Sequence, residues 1–192
     1  MVRRAAIVAA VFAATLARAQ PRPAFSALPG GVVGIALPPS MLEESAIRKQ
    51  LDSGLTTVFL IVAHERGTKN SGAARVEIRY DLWDEVWIVR KIEIDRRPEQ
   101  QRLTTFDALT KWWRNTTRIF ASAANRVTLD VELRVLPFSA AEGKDARDWI
   151  SKSGGVASAS SGSGGIVDAL IGTTIAARPI TTYRWNIDVM LR

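Results

Sequence analysis

The sequence predicts an α+β domain that is mainly antiparallel β: a β-sandwich-like sheet of about six strands with two or three short helices at its edge or one end. Three observations carry this. Apolar and polar residues alternate with a period of two along 74–95, 126–135 and 183–191, which gives each strand one apolar and one wet face. The helical stretches between them are few and short, and the connections are mostly polar. Only 55–63 is apolar nearly throughout, whereas a parallel α/β sheet would show such runs in every strand. A lipocalin-like closed barrel is the runner-up. An outer-membrane barrel would need at least eight evenly spaced strands, which are not seen in the pattern.

Residues 1–19 read as a secretory signal. Arg3-Arg4 form a basic start, 5–16 is an uncharged apolar core, and Ala17-Arg18-Ala19 is an A-x-A cleavage site before Gln20. The apolar run falls short of the roughly 20 residues that span a bilayer, and retention as an anchor is the alternative. The expectation is a periplasmic or secreted chain, cleaved after Ala19, with no transmembrane span thereafter. Residues 20–31, with Pro21, Pro23 and Pro29, read as an extended, loosely held leader. Residues 32–192 then form a single domain. It begins with a strand at 32–37, stopped by Pro38-Pro39. Ser40 with Glu43 makes a capping box for a helix over 41–52, which ends at Ser53-Gly54. The apolar strand 55–63 belongs at the centre, covered on both sides.

A polar loop over 65–72 leads into 74–95. Val76, Ile78, Tyr80 and Leu82 alternate there with Arg75, Glu77, Arg79 and Asp81. After Asp84-Glu85 the apolar face resumes as Val86, Ile88, Ile92 and Ile94, broken at Arg90. This is either two strands meeting near 83–85 or one long strand bulged there. Residues 96–102 read as a polar connection. Thr104 or Thr105 caps a helix in which Phe106, Leu109, Trp113 and Phe120 share one face, with Asp107 at the capping-box position relative to Thr104. In 126–135, Val127, Leu129, Val131, Leu133 and Val135 face one way. A helix over 140–152 with Trp149 as core contact, a Ser/Gly-rich flexible loop at 153–165 and an apolar turn at 166–171 follow. Tyr183, Trp185, Ile187, Val189 and Leu191 form the inner face of the last strand.

A chain of 192 residues is long enough for one real core, and 47% hydrophobic with 23% charged residues is ordinary globular composition. The formal charge of +7 includes Arg3, Arg4 and Arg18; taking these three from 26 basic residues against 19 acidic leaves +4. The remaining charges interleave along strands instead of forming a basic stripe, so no nucleic-acid partner is expected. The absence of cysteine excludes disulfides, cysteine nucleophiles, thiolate zinc, iron–sulfur sites and a lipoprotein anchor.

Candidate chemistry is sparse. His64 is the single histidine, followed by Glu65, and reads as a strand-end residue before a ligand or base. Asp81, Asp84 and Glu85 would serve acid–base chemistry or calcium only if they converged in a cleft; turn chemistry explains them more simply. No G-x-S-x-G, phosphate-loop, H-E-x-x-H or calcium-loop pattern occurs, and no cofactor, metal site or catalytic residue is expected. The six tryptophans are the most informative feature. Trp83 and Trp87, four apart, would share the polar face of a continuous strand and could stack on a sugar or seat a partner. With Tyr80 and Arg90 they form the candidate binding set; core filling is the competing reading. The adjacent Trp112 and Trp113 are not both expected to be buried equally by one helix.

The order of these signals resembles a family of uncharacterised exported proteobacterial proteins, a domain of unknown function of about 190 residues including the signal peptide. The matching points are the post-signal strand, the helix running into Leu51-Asp52-Ser53-Gly54-Leu55, the strand pair with tryptophans at its turn, Phe106-x-x-Leu109, and Leu136-Pro137 before Asp148-Trp149. The Ser/Gly segment and the Ala-rich stretch after it depart from that pattern. The resemblance implies an envelope location and transfers no catalytic residues. The expected function is a periplasmic, non-catalytic accessory domain that binds another envelope protein. A glycan- or lipid-binding module using the tryptophans is the alternative, and a hydrolase with a carboxylate site comes third.

Overall fold

The computed structural model describes residues 21–137 and 178–191. The signal segment, the helix at 140–152, the Ser/Gly loop and the turn at 166–171 lie outside the described residues. The chain forms β1 (Ala24–Leu28), β2 (Val32–Ala36), a 3-10 turn (Pro39–Met41), α1 (Ser45–Asp52), β3 (Thr57–Glu65), β4 (Ser71–Asp81), β5 (Val86–Ile92) and β6 (Glu99–Leu103). It continues with α2 (Phe106–Trp113), β7 (Thr117–Ala121), β8 (Arg126–Pro137) and β9 (Thr181–Met190). All pairings are antiparallel, in a six-stranded sheet ordered β6-β5-β4-β3-β8-β9 and a three-stranded sheet ordered β1-β2-β7. The fold is the expected α+β, β-sandwich-like one, and neither sheet closes into a barrel among the described residues. No helix among those residues is long and apolar enough to cross a membrane.

The core lies between the inner face of the large sheet and the small sheet with both helices. Phe59 and Ile61 of β3, Val76 and Ile78 of β4 and Leu129 to Val135 of β8 join Val33, Ile35, Ile119 and Phe120 of the small sheet in one buried cluster. Ile47 and Leu51 of α1 and Leu109, Trp112 and Trp113 of α2 complete it. As its unbroken apolar run predicts, β3 is central and buried on both faces: Val58, Leu60 and Val62 form a second cluster with Ala73 and Leu136 on the outer side. The inner faces read from the alternation in β4, β8 and β9 are the observed ones, except that Leu82 lies past the end of β4 in the turn and is exposed.

Several expectations need correction. The large sheet has the expected six strands, and among the described residues three more strands form the second sheet. Within the segment read as a loose leader, Ala24–Leu28 is paired along its whole length with β2. Gly30 and Gly31 make that turn at φ 83° and 70°, a backbone region that β-carbon sterics deny most residues. The single helix over 41–52 is broken. Pro38 is extended and Pro39 opens a 3-10 turn, and Met41 and Leu42 are both buried, so the chain re-enters helix only at Ser45. The Ser40/Glu43 capping box does not form. The N-cap is Glu44, and its carboxylate accepts a hydrogen bond from Tyr183 Oη at 2.6 Å instead.

The polar connection at 96–102 contains the edge strand β6. Its Glu-Gln-Gln-Arg-Leu sequence faces little core, so no alternation marks it. The second helix stops at Trp113, and the β-branched Thr117 and Ile119 carry β7, so Phe120 reaches the core from a strand. Thr105 is the cap, accepting from Ala108 N at 3.1 Å, and Asp107 pairs with Lys111 at 2.8 Å. Trp112 and Trp113 are both buried, because the outer side of α2 is covered by Lys91 of β5 while Trp113 packs edge-on against Phe59 at 4.6 Å.

Candidate functional site

The strand pair β4–β5 resolves the organising stretch into a hairpin, and its turn is the most exposed apolar feature among the described residues. Residues 82–85 form the loop, with Glu85 at φ 52°. Asp81 sets its geometry: Oδ1 accepts from the backbone N–H of Trp83 at 3.1 Å and of Asp84 at 3.3 Å, an Asx turn. These two donors hold the Asp81 carboxyl below the usual carboxylate range. Asp84 forms an ion pair with Arg102 of β6.

Trp83 projects from this fixed turn with 96% of its surface exposed. Leu82 (63%) precedes it in the turn, and Leu55 (48%) is exposed just past the end of α1, next to Gly54. A β-carbon placed on Gly54, after α1, would come within 3.0 Å of Leu82, so the turn rests on the end of that helix. Below lies a groove of about 380 Å³, lined among others by Arg48, Tyr80, Leu82, Glu85, Trp87 and Phe106. Its aromatic wall is continuous, with Tyr80–Trp87 centroids 4.7 Å apart and Trp87–Phe106 5.8 Å. Arg48 lies 4.3 Å over the Phe106 ring, and its Nε donates to both carboxylate oxygens of Asp52 at 3.0 Å.

The hairpin separates the candidate set. Tyr80 and Trp87 face each other across the β4–β5 register and, with Trp83, gather at one end of the sheet. Trp87 does not share an exposed face with Trp83. It is only 6% exposed and points into the core, because the turn between them cancels the spacing of four that a continuous strand would keep. Arg90 is on the outer face, 3.7 Å from Glu77, which Arg75 also approaches at 2.8 Å. Iodide quenching checks this placement: Trp83→Phe is expected to remove most of the quenchable emission and Trp87→Phe almost none.

The three carboxylates near the turn do not converge on a common point: Asp81 is spent on the turn, Asp84 on Arg102, and Glu85 lines the groove. His64 is exposed at the end of β3, opposite Ser71 and Asp130 in register. No cluster of three metal-ligating side chains occurs among the described residues.

One residue of consequence escaped the pattern. The core face of β5 is Trp87, Val89 and Lys91, one position out of step with the apolar face read from Val86, Ile88 and Ile92. Lys91 is buried, donates from Nζ to Asn115 O at 2.8 Å and lies 4.8 Å over the Trp112 ring. Burial pushes its pKa below the ordinary lysine value, against the opposing pull of Glu93 and Glu99. The signal for it was Trp87 and Val89 at the two preceding alternate positions.

No family model matches the chain, and neither a curated protein nor a solved structure does so.

Proposed function

We propose that this chain is an exported, non-catalytic domain of the bacterial envelope that works by docking another envelope protein, with Trp83 as the anchor. The observation that supports this is the indole of Trp83, 96% exposed on a turn whose backbone is fixed by Asp81. A bulky aromatic held out to solvent on a rigid support is the residue type and setting of an interface hot spot. The surround suits a protein partner better than a lipid surface. Arg102–Asp84, Arg79–Asp81 and Arg48–Asp52 balance one another, and Glu85 adds a negative charge, whereas adsorption to anionic lipid needs an excess of basic residues. An apolar centre of Trp83 and Leu82 among mixed charges has the anatomy of a protein interface. The partner presents an apolar pocket of indole size bordered by charges of both signs. The export signal, and the motif resemblance noted above, support the envelope location. A sugar platform built on Trp83 and Trp87 together has weaker support, since the Trp87 ring is enclosed by Tyr80 and Phe106.

The test is a photo-crosslinking side chain at position 84 of the exported protein in cells. One dominant envelope protein is expected to be captured, and Trp83→Ala is expected to weaken the association by about 2 kcal/mol or more, roughly thirtyfold. His64→Ala, at the far end of β3, is expected to leave the adduct intact. An adduct that survives Trp83→Ala, or none at all, overturns the reading.

A further inference from the structure

The six-stranded sheet has two edges of opposite character. β6 is defended: it is five residues long, follows Pro98 and reads Glu-Gln-Gln-Arg-Leu, the short, polar, proline-flanked edge that discourages pairing. β9 is less protected, although Pro179 precedes it by two residues. It is ten residues long, contains neither proline nor glycine, and among the described residues it pairs with β8 on one side only. Its inner face carries Trp185 and Ile187, both only partly buried, between the buried Tyr183 and Val189. Its outer face presents Arg184, Asn186 and Asp188 to solvent.

We propose that this edge pairs with β9 of a second copy of the chain, antiparallel, about a two-fold axis through Asn186. The sequence of the strand selects that register. Two sheets that join with their cores on the same side must pair residues of the same face. With Asn186 on the axis, Arg184 stands opposite Asp188 of the second copy, twice, at the separation of directly opposed residues. On the inner face Trp185, which packs edge-on against Phe25 and donates from Nε1 to Pro21 O at 3.1 Å in its own chain, meets Ile187, and Tyr183 meets Val189. Moving the axis to Trp185 or Ile187 sets Arg184 against Asn186 or Met190 and loses both ion pairs. Moving it to Arg184 or Asp188 opposes like charges. Existing contacts leave room: Arg184 gives its Nε to Glu132 at 2.7 Å and keeps its Nη groups, and its side chain is 76% exposed. Asp188 accepts from Thr128 Oγ1 and lies 3.6 Å from Arg126, yet its side chain is 55% exposed and its oxygens can accept a further donor. The pairing adds about one backbone hydrogen bond per residue of edge. This surface lies apart from Trp83, and the inference does not rest on the partner proposed for that turn.

The full mature chain is used for the test. In sedimentation the wild type is expected to be dimeric at micromolar concentration. Arg184→Asp and Asp188→Arg each bring like charges together twice and are expected to weaken the dimer more than tenfold. An equimolar mixture of the two restores both attractive pairs in a heterodimer, and so does the double exchange in one chain. The absence of native cysteine permits a direct reading of register. Asn186→Cys faces its own copy at the roughly 4.5–5.5 Å Cα separation of opposed residues, within disulfide range, and is expected to oxidise to a covalent dimer. Thr182→Cys, opposite Met190, is expected to stay monomeric under the same oxidation. A monomeric wild type, a mixture of the charge variants that fails to associate, or equal crosslinking at positions 182 and 186 overturns the proposal.

Discussion

Gly72→Ala is expected to be strongly destabilising although it adds a single methyl group. A β-carbon there would lie 2.2 Å from the carbonyl oxygen of Ile119, 2.9 Å from the Cα of Phe120 and 3.1 Å from the carbonyl carbon of Ile119. All three are backbone atoms of β7, so no rotamer change relieves the overlap. β7 cannot retreat cheaply either, since Ile119 and Phe120 are fully buried in the common core. The methyl therefore forces apart the two sheets where β4 and β7 touch. Overpacking usually costs about 1–3 kcal/mol, and a clash with fixed backbone belongs at or above the top of that range. Gly67→Ala is the control. Gly67 sits at φ 81° with nothing within 4 Å, so only backbone strain of about 1–2 kcal/mol is at stake. Urea unfolding is expected to rank wild type above Gly67→Ala and Gly67→Ala above Gly72→Ala. Equal midpoints for the two variants would mean that the contact between the sheets yields easily.

The parts of the fold that were legible in the sequence are those where one physical signal acts alone. β8, β9 and the second half of β4 each have one buried face and one wetter face, so period two names the inner residues directly; β3 has two buried faces and shows as a continuous apolar run. The misread parts are those where two signals compete. β5 carries apolar residues on both faces, Trp87 and Val89 inside and Val86, Ile88 and Ile92 outside, and the charged Lys91 occupies an inner position. Composition alone therefore chose the wrong face. β1 and β6 are short edges whose order comes from a neighbour's hydrogen bonds. At the candidate site, the exposure of Trp83 was anticipated, but a spacing of four was applied across a turn. Of the two readings of that stretch, two strands meeting near 83–85 or one bulged strand, the positive φ of Glu85 and the Asx bonds of Asp81 select the turn.

Lys91 is the residue whose replacement is expected to separate charge from shape most cleanly. Its ammonium lies over Trp112 and reaches the carbonyl of Asn115 just past the end of α2, tying β5 to a helix C-terminus that favours a cation. Lys91→Met keeps the length of the chain and removes the buried charge. The lost hydrogen bond costs about 1 kcal/mol, and relief from desolvation offsets it, so little net change is expected at neutral pH. Lys91→Glu keeps a charge but inverts it, opposite Glu99 in the register and close to Glu93. A buried carboxylate without a counter-ion is expected to cost about 3–5 kcal/mol, read as a lower urea midpoint. The same burial makes a prediction about pH. The folded protein holds the Lys91 proton less tightly than the unfolded chain. Below the folded-state pKa both forms are protonated, and the stability difference between wild type and Lys91→Met is constant. Between that value and the ordinary lysine value the unfolded chain binds more protons, so wild type gains stability relative to the variant as pH rises. A wild type that instead loses ground to Lys91→Met over that alkaline range would show that Glu93 and Glu99 outweigh desolvation and hold the site as an ion cluster.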